Sequence, residues 1–180
     1  MIYNVAQLMK AAPGTALNVE LDDADELELK DGEARLAGPV TGGVRLHRTN
    51  QGIFVDGTVH VPVELECSRC LKPVVETVTF PLREQYYPTI DVNTGAPVAA
   101  LDDELAFPID HNHLLDLREA IRQNLVLALP DKALCSEDCK GLCAQCGKDL
   151  NEGPCDCQPE VADDRFATLR ELLAEQGTEA

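Results

Sequence analysis

A chain of 180 residues that is 44 % apolar can bury a core, and with no Trp and 4 % aromatics that core must be mostly Val, Leu, Ile and Ala. The net charge of −17 is uneven: residues 1–34 carry two basic and eight acidic groups, 35–90 six and five, 91–180 seven and nineteen. This balance argues against an anionic membrane surface and leaves only the near-neutral middle for contact with phosphates, whereas a basic protein is electrostatically the easier partner.

The opening MIYNVAQLMKAAPGTA lacks a basic stretch followed by an apolar core, so it does not read as a secretory signal. No apolar run approaches the roughly 20 residues that span a bilayer. A cytoplasmic location is expected, with no membrane partner. Asn4 is placed to cap a short helix over Val5–Ala11, which Pro13-Gly14 would stop. Short strand-like pieces follow at Leu17–Leu21, Leu27–Leu29, Ala34–Leu36 and Val40–Leu46, separated by turn residues.

The clearest strand comes next. Ile53, Val55, Val59, Val61, Val63 and Leu65 alternate with Asp56, Thr58, His60, Glu64 and Glu66, broken only by Gly57. A period of two over this length predicts a long strand with one buried side. The alternation resumes at Val74, Val78, Phe80 and Leu82, so Cys67-Ser68-Arg69-Cys70 is predicted to turn between two long antiparallel strands. Residues 88–103 read as an exposed loop and Glu104–Asp110 as a short strand. A helix over 113–129, capped by Asp110 or Asn112, carries Leu114, Leu117, Ile121, Leu125 and Ala128 on its core stripe. Its last residues, Leu125 to Leu129, are apolar nearly all round, which predicts burial on more than one side. A closing helix with Phe166, Leu169, Leu172 and Leu173 is expected after Asp163 or Asp164. The fold class expected is α+β: an antiparallel, barrel-like sheet with a packed helix (residues 1–130), then a Cys-rich lobe and terminal helix (131–180). No internal repeat is evident.

Eight cysteines carry the chemistry. Cys67 and Cys70 form one C-x2-C pair, while Cys135, Cys139, Cys143, Cys146, Cys155 and Cys157 crowd into a segment poor in apolar residues. Such a segment needs an external stabiliser, and in a reducing compartment dense thiols favour a metal over disulfides. Zinc in structural sites takes four ligands in a tetrahedron and suits thiolates. Eight sulfurs fit one or two Zn2+ ions. One partition groups Cys143, Cys146, Cys155 and Cys157, with Cys67 and Cys70 joining Cys135 and Cys139; a single site with spare thiols is the alternative. Disulfides, an iron–sulfur or single-iron site and a redox-active Cys67-Cys70 pair are the rivals. None of the four histidines lies inside the cluster, which favours a structural over a catalytic zinc. His111 and His113 read as exposed residues near a helix cap. There is no phosphate loop, no Gly-x-Ser-x-Gly and no nucleophile–base pair, so no enzyme and no small-molecule substrate is expected. Arg45, Arg48, Arg69, Lys72 and Arg83 are the basic residues that strand pairing could gather into an RNA- or partner-binding face.

Leu65-Glu66-Cys67-Ser68-Arg69-Cys70-Leu71, the helix ending Leu127-Ala128-Leu129-Pro130, the run from Cys135 through Lys140-Gly141-Leu142-Cys143 to Cys155-x-Cys157, and the closing Asp164-Arg165-Phe166-Ala167-x-Leu169 together resemble the YceD family of large ribosomal RNA subunit accumulation proteins. The resemblance covers roughly residues 45–175. It implies a ribosome biogenesis factor that supports 23S rRNA accumulation without catalysis, with 23S rRNA, a pre-50S particle or a basic ribosomal protein as partner. Relatives that keep only the C-x-R-C segment imply a structural role for the metal, and they point to Arg69 and the surrounding sheet as the shared surface. The alternatives are a metal-dependent RNA-processing or redox enzyme and a zinc-stapled protein-interaction module.

Overall fold

The computed structural model describes residues 1–23, 27, 29, 34–98 and 107–157. The closing helix expected around residues 163–173 lies outside the described residues. Eight strands form one sheet: β1 (Ile2–Asn4), β2 (Ala16–Asp23), β3 (Arg35–Leu36), β4 (Val40–Arg48), β5 (Ile53–Glu66), β6 (Pro73–Pro88), β7 (Phe107–Ile109) and β8 (Leu114–Asp116). Two helices accompany it, α1 (Ala6–Lys10) and α2 (Arg118–Ala128). The spatial order is β1-β8-β7-β6-β5-β4-β2, with β3 beside the far end of β5. The sheet curls into a half-barrel, so the molecule is sheet-dominated where an α+β balance was expected. One pairing also departs from the antiparallel expectation: β6 and β7 run parallel, from Tyr86↔Phe107 to Pro88↔Ile109.

Alternation dictates the spine of this sheet. β5 and β6 pair from Ile53↔Tyr86 to Glu66↔Pro73, with Ile53, Val55, Val59, Val61, Val63, Val78, Phe80, Leu82 and Tyr86 buried on the concave side. Gly57 breaks the apolar alternation for a steric reason: a Cβ there would lie 2.3 Å from the Gly43 carbonyl oxygen and 2.6 Å from Val44 Cα. The bare backbone lets β4 press onto β5 and the sheet curl.

The helix predicted over 113–129 starts later, at Arg118, because Leu114–Asp116 is taken by strand pairing with Ile2–Asn4. Local pattern could not reveal this partner, more than a hundred residues away. Asp110 caps a turn and not the helix: its Oδ1 accepts from the N–H groups of Asn112 (2.8 Å) and Leu114 (2.7 Å). The N-cap of α2 is Leu117, and the preceding Asp116 accepts through Oδ1 from the Arg118 N–H at 3.0 Å. Asn4, expected to cap the first helix, ends β1 instead: the N-cap of α1 is Val5, and Asn4 Oδ1 accepts from the Ala6 N–H just inside it. α2 lays Ala120, Ile121 and Leu125 on the concave face, and Asn124 donates to Glu84 Oε1 at 2.8 Å. The burial on more than one side expected of its end is not found: Leu125 is buried, but Leu127 is 85 % exposed and Val126 is exposed too. Each fully buried Leu or Ile on this face contributes about 1.5–3 kcal/mol relative to exposure. Among the described residues, no helix is long and apolar enough to cross a membrane.

Candidate metal centres

The β5–β6 turn presents two sulfurs. The Cys67 N–H donates to the Lys72 carbonyl and the Leu71 N–H to the Cys67 carbonyl, each at 2.9 Å. Leu71 is left-handed at φ 59°. The same turn recurs after α2: the Cys143 N–H donates to the Lys148 carbonyl (2.8 Å), the Gly147 N–H to the Cys143 carbonyl (2.9 Å), and Gly147 sits at φ 71°. Each turn aims successive backbone N–H groups at the first sulfur. The repeated spelling Cys-x2-Cys-x-Lys was visible in the sequence, but two copies of six residues are too short to register as a repeat.

Two groups of four cysteines result. Cys67, Cys70, Cys135 and Cys139 form one, Cys143, Cys146, Cys155 and Cys157 the other, and within each the sulfurs all lie within 4.8 Å of one another. The grouping of the sulfurs is that of the two-site partition. In the first group Cys67 and Cys139 sulfurs are 3.8 Å apart and those of Cys70 and Cys135 3.6 Å. A tetrahedron with metal–sulfur bonds of about 2.3 Å has edges of about 3.8 Å. A disulfide would need about 2.05 Å. The spacing, the donor type and the count therefore suit a tetrahedral thiolate-loving ion such as Zn2+, and four protein ligands would leave it no open coordination position.

The surroundings fix the first group firmly. Cys67, Cys70 and Cys139 are buried among Val74, Leu134 and Leu142, while Cys135 is exposed. The Ser68 N–H donates to the Ala133 carbonyl at 2.9 Å. The Arg69 guanidinium donates to the carbonyls of Glu137 (3.0 Å) and Cys139 (2.8 Å), and the Arg69 carbonyl accepts from the Leu142 N–H. Gly141, at φ 73°, lets this strap pass: a Cβ would meet the Arg69 carbonyl oxygen at 2.9 Å. Asn151 ties the loop that carries the second group to the first. Its Nδ2 donates to the Cys139 sulfur at 3.4 Å and to Asp149 Oδ1 at 2.7 Å, and its Oδ1 accepts from the Lys140 N–H at 2.8 Å.

Proton affinities follow the same geometry. Backbone N–H groups of Cys70, Cys135 and Arg69 hold the Cys67 thiol down to about 6. Those of Cys146 and Gln145, helped by the Cys155 side chain, do the same for Cys143, again to about 6. The neighbours absorb the consequence: Cys135, beside Cys139 and Cys70, is pushed up to about 12, and Cys157, beside Cys146, likewise to about 12. Cys139 is held below its usual value as well, first by the Asn151 side chain, and ionisation of the sulfurs that are pushed up needs a cation to offset like charges.

A family model described as large ribosomal RNA subunit accumulation protein YceD matches residues 55–173. The chain belongs to the YceD family. It is similar to an uncharacterized protein of Mycobacterium tuberculosis, 35 % identical over 131 residues, which is 72 % of this chain and 60 % of that protein. A Mycobacterium leprae protein is 30 % identical over 137 residues, 76 % of this chain and 60 % of the relative. The chloroplastic large ribosomal RNA subunit accumulation protein YCED homolog 1 of Arabidopsis thaliana is 27 % identical over 156 residues, 74 % of this chain and 48 % of the relative. The chain therefore spans between about half and three fifths of the length of these relatives. No solved structure matches.

In this YceD-family chain the five basic residues considered from sequence do not share one face. Arg48 turns inward at the strand end, its Nε donating to the Met9 carbonyl (3.1 Å) and its Nη1 to those of Gly52 (3.0 Å) and Thr49. Arg69 straps the first cysteine group, as described. Lys72 lies between the groups, its Nζ 2.7 Å from Asp149 Oδ2 and 3.0 Å from Glu152 Oε1. Those carboxylates hold its proton more tightly than usual, Asp149 most of all. Only Arg45 and Arg83 stand on the convex face, in register with Asp56 between them, and Arg83 Nε is 3.0 Å from that carboxylate.

Proposed function

We propose that this YceD-family chain is a non-catalytic factor supporting accumulation of large-subunit ribosomal RNA, and that its direct contact is a basic protein of the assembling particle. The ribosomal link rests on the family and on the name carried by the plant relatives. The choice of partner is carried by one observation: four of the five candidate cations, Arg48, Arg69, Lys72 and Arg83, already hold a carbonyl or carboxylate partner, in a chain of net charge −17. Phosphate binding needs clustered, available cations, whereas an acidic surface attracts a basic protein. Closed four-thiolate sites suit a structural metal and supply no reactive position.

Depletion of the protein is expected to lower 23S rRNA and 50S particles, and unchanged subunit profiles would refute the role. Crosslinked capture should recover a basic protein that survives ribonuclease and is lost at high salt. RNA crosslinks at Arg45 or Arg83, without such a protein, would favour direct rRNA binding. Cleavage of precursor rRNA by the purified, metal-loaded protein would overturn the non-catalytic reading.

A further inference from the structure

Among the described residues the half-barrel is not closed, and its two borders differ. One is β1, three residues long. The other is β2, eight residues long, and among the described residues no strand pairs with its far side. Long unpaired borders invite another chain, and proteins commonly guard them.

The direction of the unpaired groups follows from the ladder. The Arg48 N–H donates to the Thr15 carbonyl, continuing the register in which Ala16 faces His47. In an antiparallel pair, residues that exchange hydrogen bonds alternate with residues that do not. Leu17, Val19 and Leu21 therefore point their N–H and C=O groups at β4. Asn18, Glu20 and Asp22 point theirs away, toward the open border. Side chains alternate as well. Asn18, Glu20 and Asp22 are exposed on the convex side, while Leu21 is buried on the concave side and Leu17 on that side remains 46 % exposed.

We propose that β2 is the seat of an extended basic segment of a protein partner, which adds to the sheet as a further strand. The segment would alternate. Lysine or arginine would stand beside Glu20 and Asp22 on the convex side, and apolar residues would cover Leu17 on the concave side. Charge complementarity selects this occupant. A second copy pairing antiparallel through β2 would set carboxylates of Glu20 and Asp22 against one another, which is unfavourable across strands. The sequence beyond, with Asp23, Asp25 and Glu26, adds to the same sign. RNA is disfavoured for the same reason.

This inference rests on the basic-protein reading above and is tested apart from it. A short fluorescent peptide alternating lysine and valine is titrated against the full chain by anisotropy, with an alternating glutamate and valine peptide as control. Glu20→Pro removes one outward N–H and leaves the β2–β4 ladder intact, and Glu20→Gln removes the charge alone. The basic peptide should bind and the acidic one should not. Glu20→Pro should weaken binding at least tenfold, clearly more than Glu20→Gln. If circular dichroism shows that Glu20→Pro misfolds, the Glu20→Lys, Asp22→Lys double variant replaces it, with the same tenfold expectation. Equal affinity of wild type and these variants overturns the proposal, as does equal binding of both peptides. In cell extract, a basic protein captured equally by wild type and Glu20→Pro would overturn β2 as the seat while leaving the basic-protein reading intact. Failure of the wild type to capture any basic protein would overturn that reading itself.

Discussion

The two cysteine groups share ligand type and turn geometry but differ in how each is held. The first joins a turn of the main sheet to the segment after α2, with three of its four cysteines buried and Arg69 strapping the pieces together. The second is made within residues 143–157, with Cys146 exposed and the others half-buried. One group ties distant parts of the chain together, while the other organises a local loop. Ions in the two should therefore differ in lability, because solvent access and the rigidity of the ligand shell govern release.

The largest expected contrast is between Cys139→Ser and Cys157→Ser. Structural zinc contributes apparent folding energies of about 10–16 kcal/mol. Cys139→Ser should release the ion of the first group and detach residues 131–157 from the sheet, abolishing hydrogen-exchange protection at Ser68 and Leu142. Cys157→Ser should release only the second ion and leave those amides protected. Elemental analysis combined with exchange measurements checks both. Equal loss of protection would mean the groups form one cooperative unit.

Lowering the pH separates them next. Thiol values near 6 for Cys67 and Cys143 lie below the ordinary 9.0. Their thiolates thus favour the folded state fully above about 9, and this contribution is lost as pH falls through about 6. Protons then compete for every sulfur. Ion release followed with a chromogenic chelator should steepen below about pH 6, with the exposed second group emptying first. Release of the first ion ahead of the second would invert the comparison.

Backbone conformation gives smaller effects. Gly141→Ala combines a left-handed φ with contact against the Arg69 carbonyl and should cost about 1–2 kcal/mol or more in thermal unfolding. Leu71→Gly should do the opposite. Leu71 adopts at φ 59° the conformation that glycine supplies in the second turn, and it is 60 % exposed, so relief of strain should gain about 0.5–1 kcal/mol. A destabilised Leu71→Gly would show that the two turns are not equivalent. Smallest is Lys72→Ala, which breaks a half-exposed bridge to Asp149 and should lower the thermal midpoint only slightly, an effect that fades in high salt.

Much of this architecture was legible beforehand. The alternation from Ile53 to Leu82 named the central hairpin and put Cys67 and Cys70 at its tip. The cysteine spacing supported a two-site grouping, and the motif order supported the family. Short strands paired across long separations escaped notice. Ile2–Asn4 and Leu114–Asp116 carry too few residues for a period to show, and each is a strand only because the other is present. Arg45, Arg48, Arg69, Lys72 and Arg83, read as residues that strand pairing could gather into an RNA- or partner-binding face, are spread over the structure for a related reason: charge is readable in sequence, but its internal use is not.

Taken alone, the order of residues determined the solvent-facing and core-facing sides of each long strand, the kind of ion the thiols would suit, and the acidity of the surface. These are local or summed properties, and composition and period carry them. The tertiary structure alone decided which sulfurs stand about 3.8 Å apart, as Cys67 and Cys139 do, which cations are already taken, and that β2 is left as the long open border among the described residues. Each of those depends on distances between residues far apart in the chain, set when the sheet curls and the lobe docks.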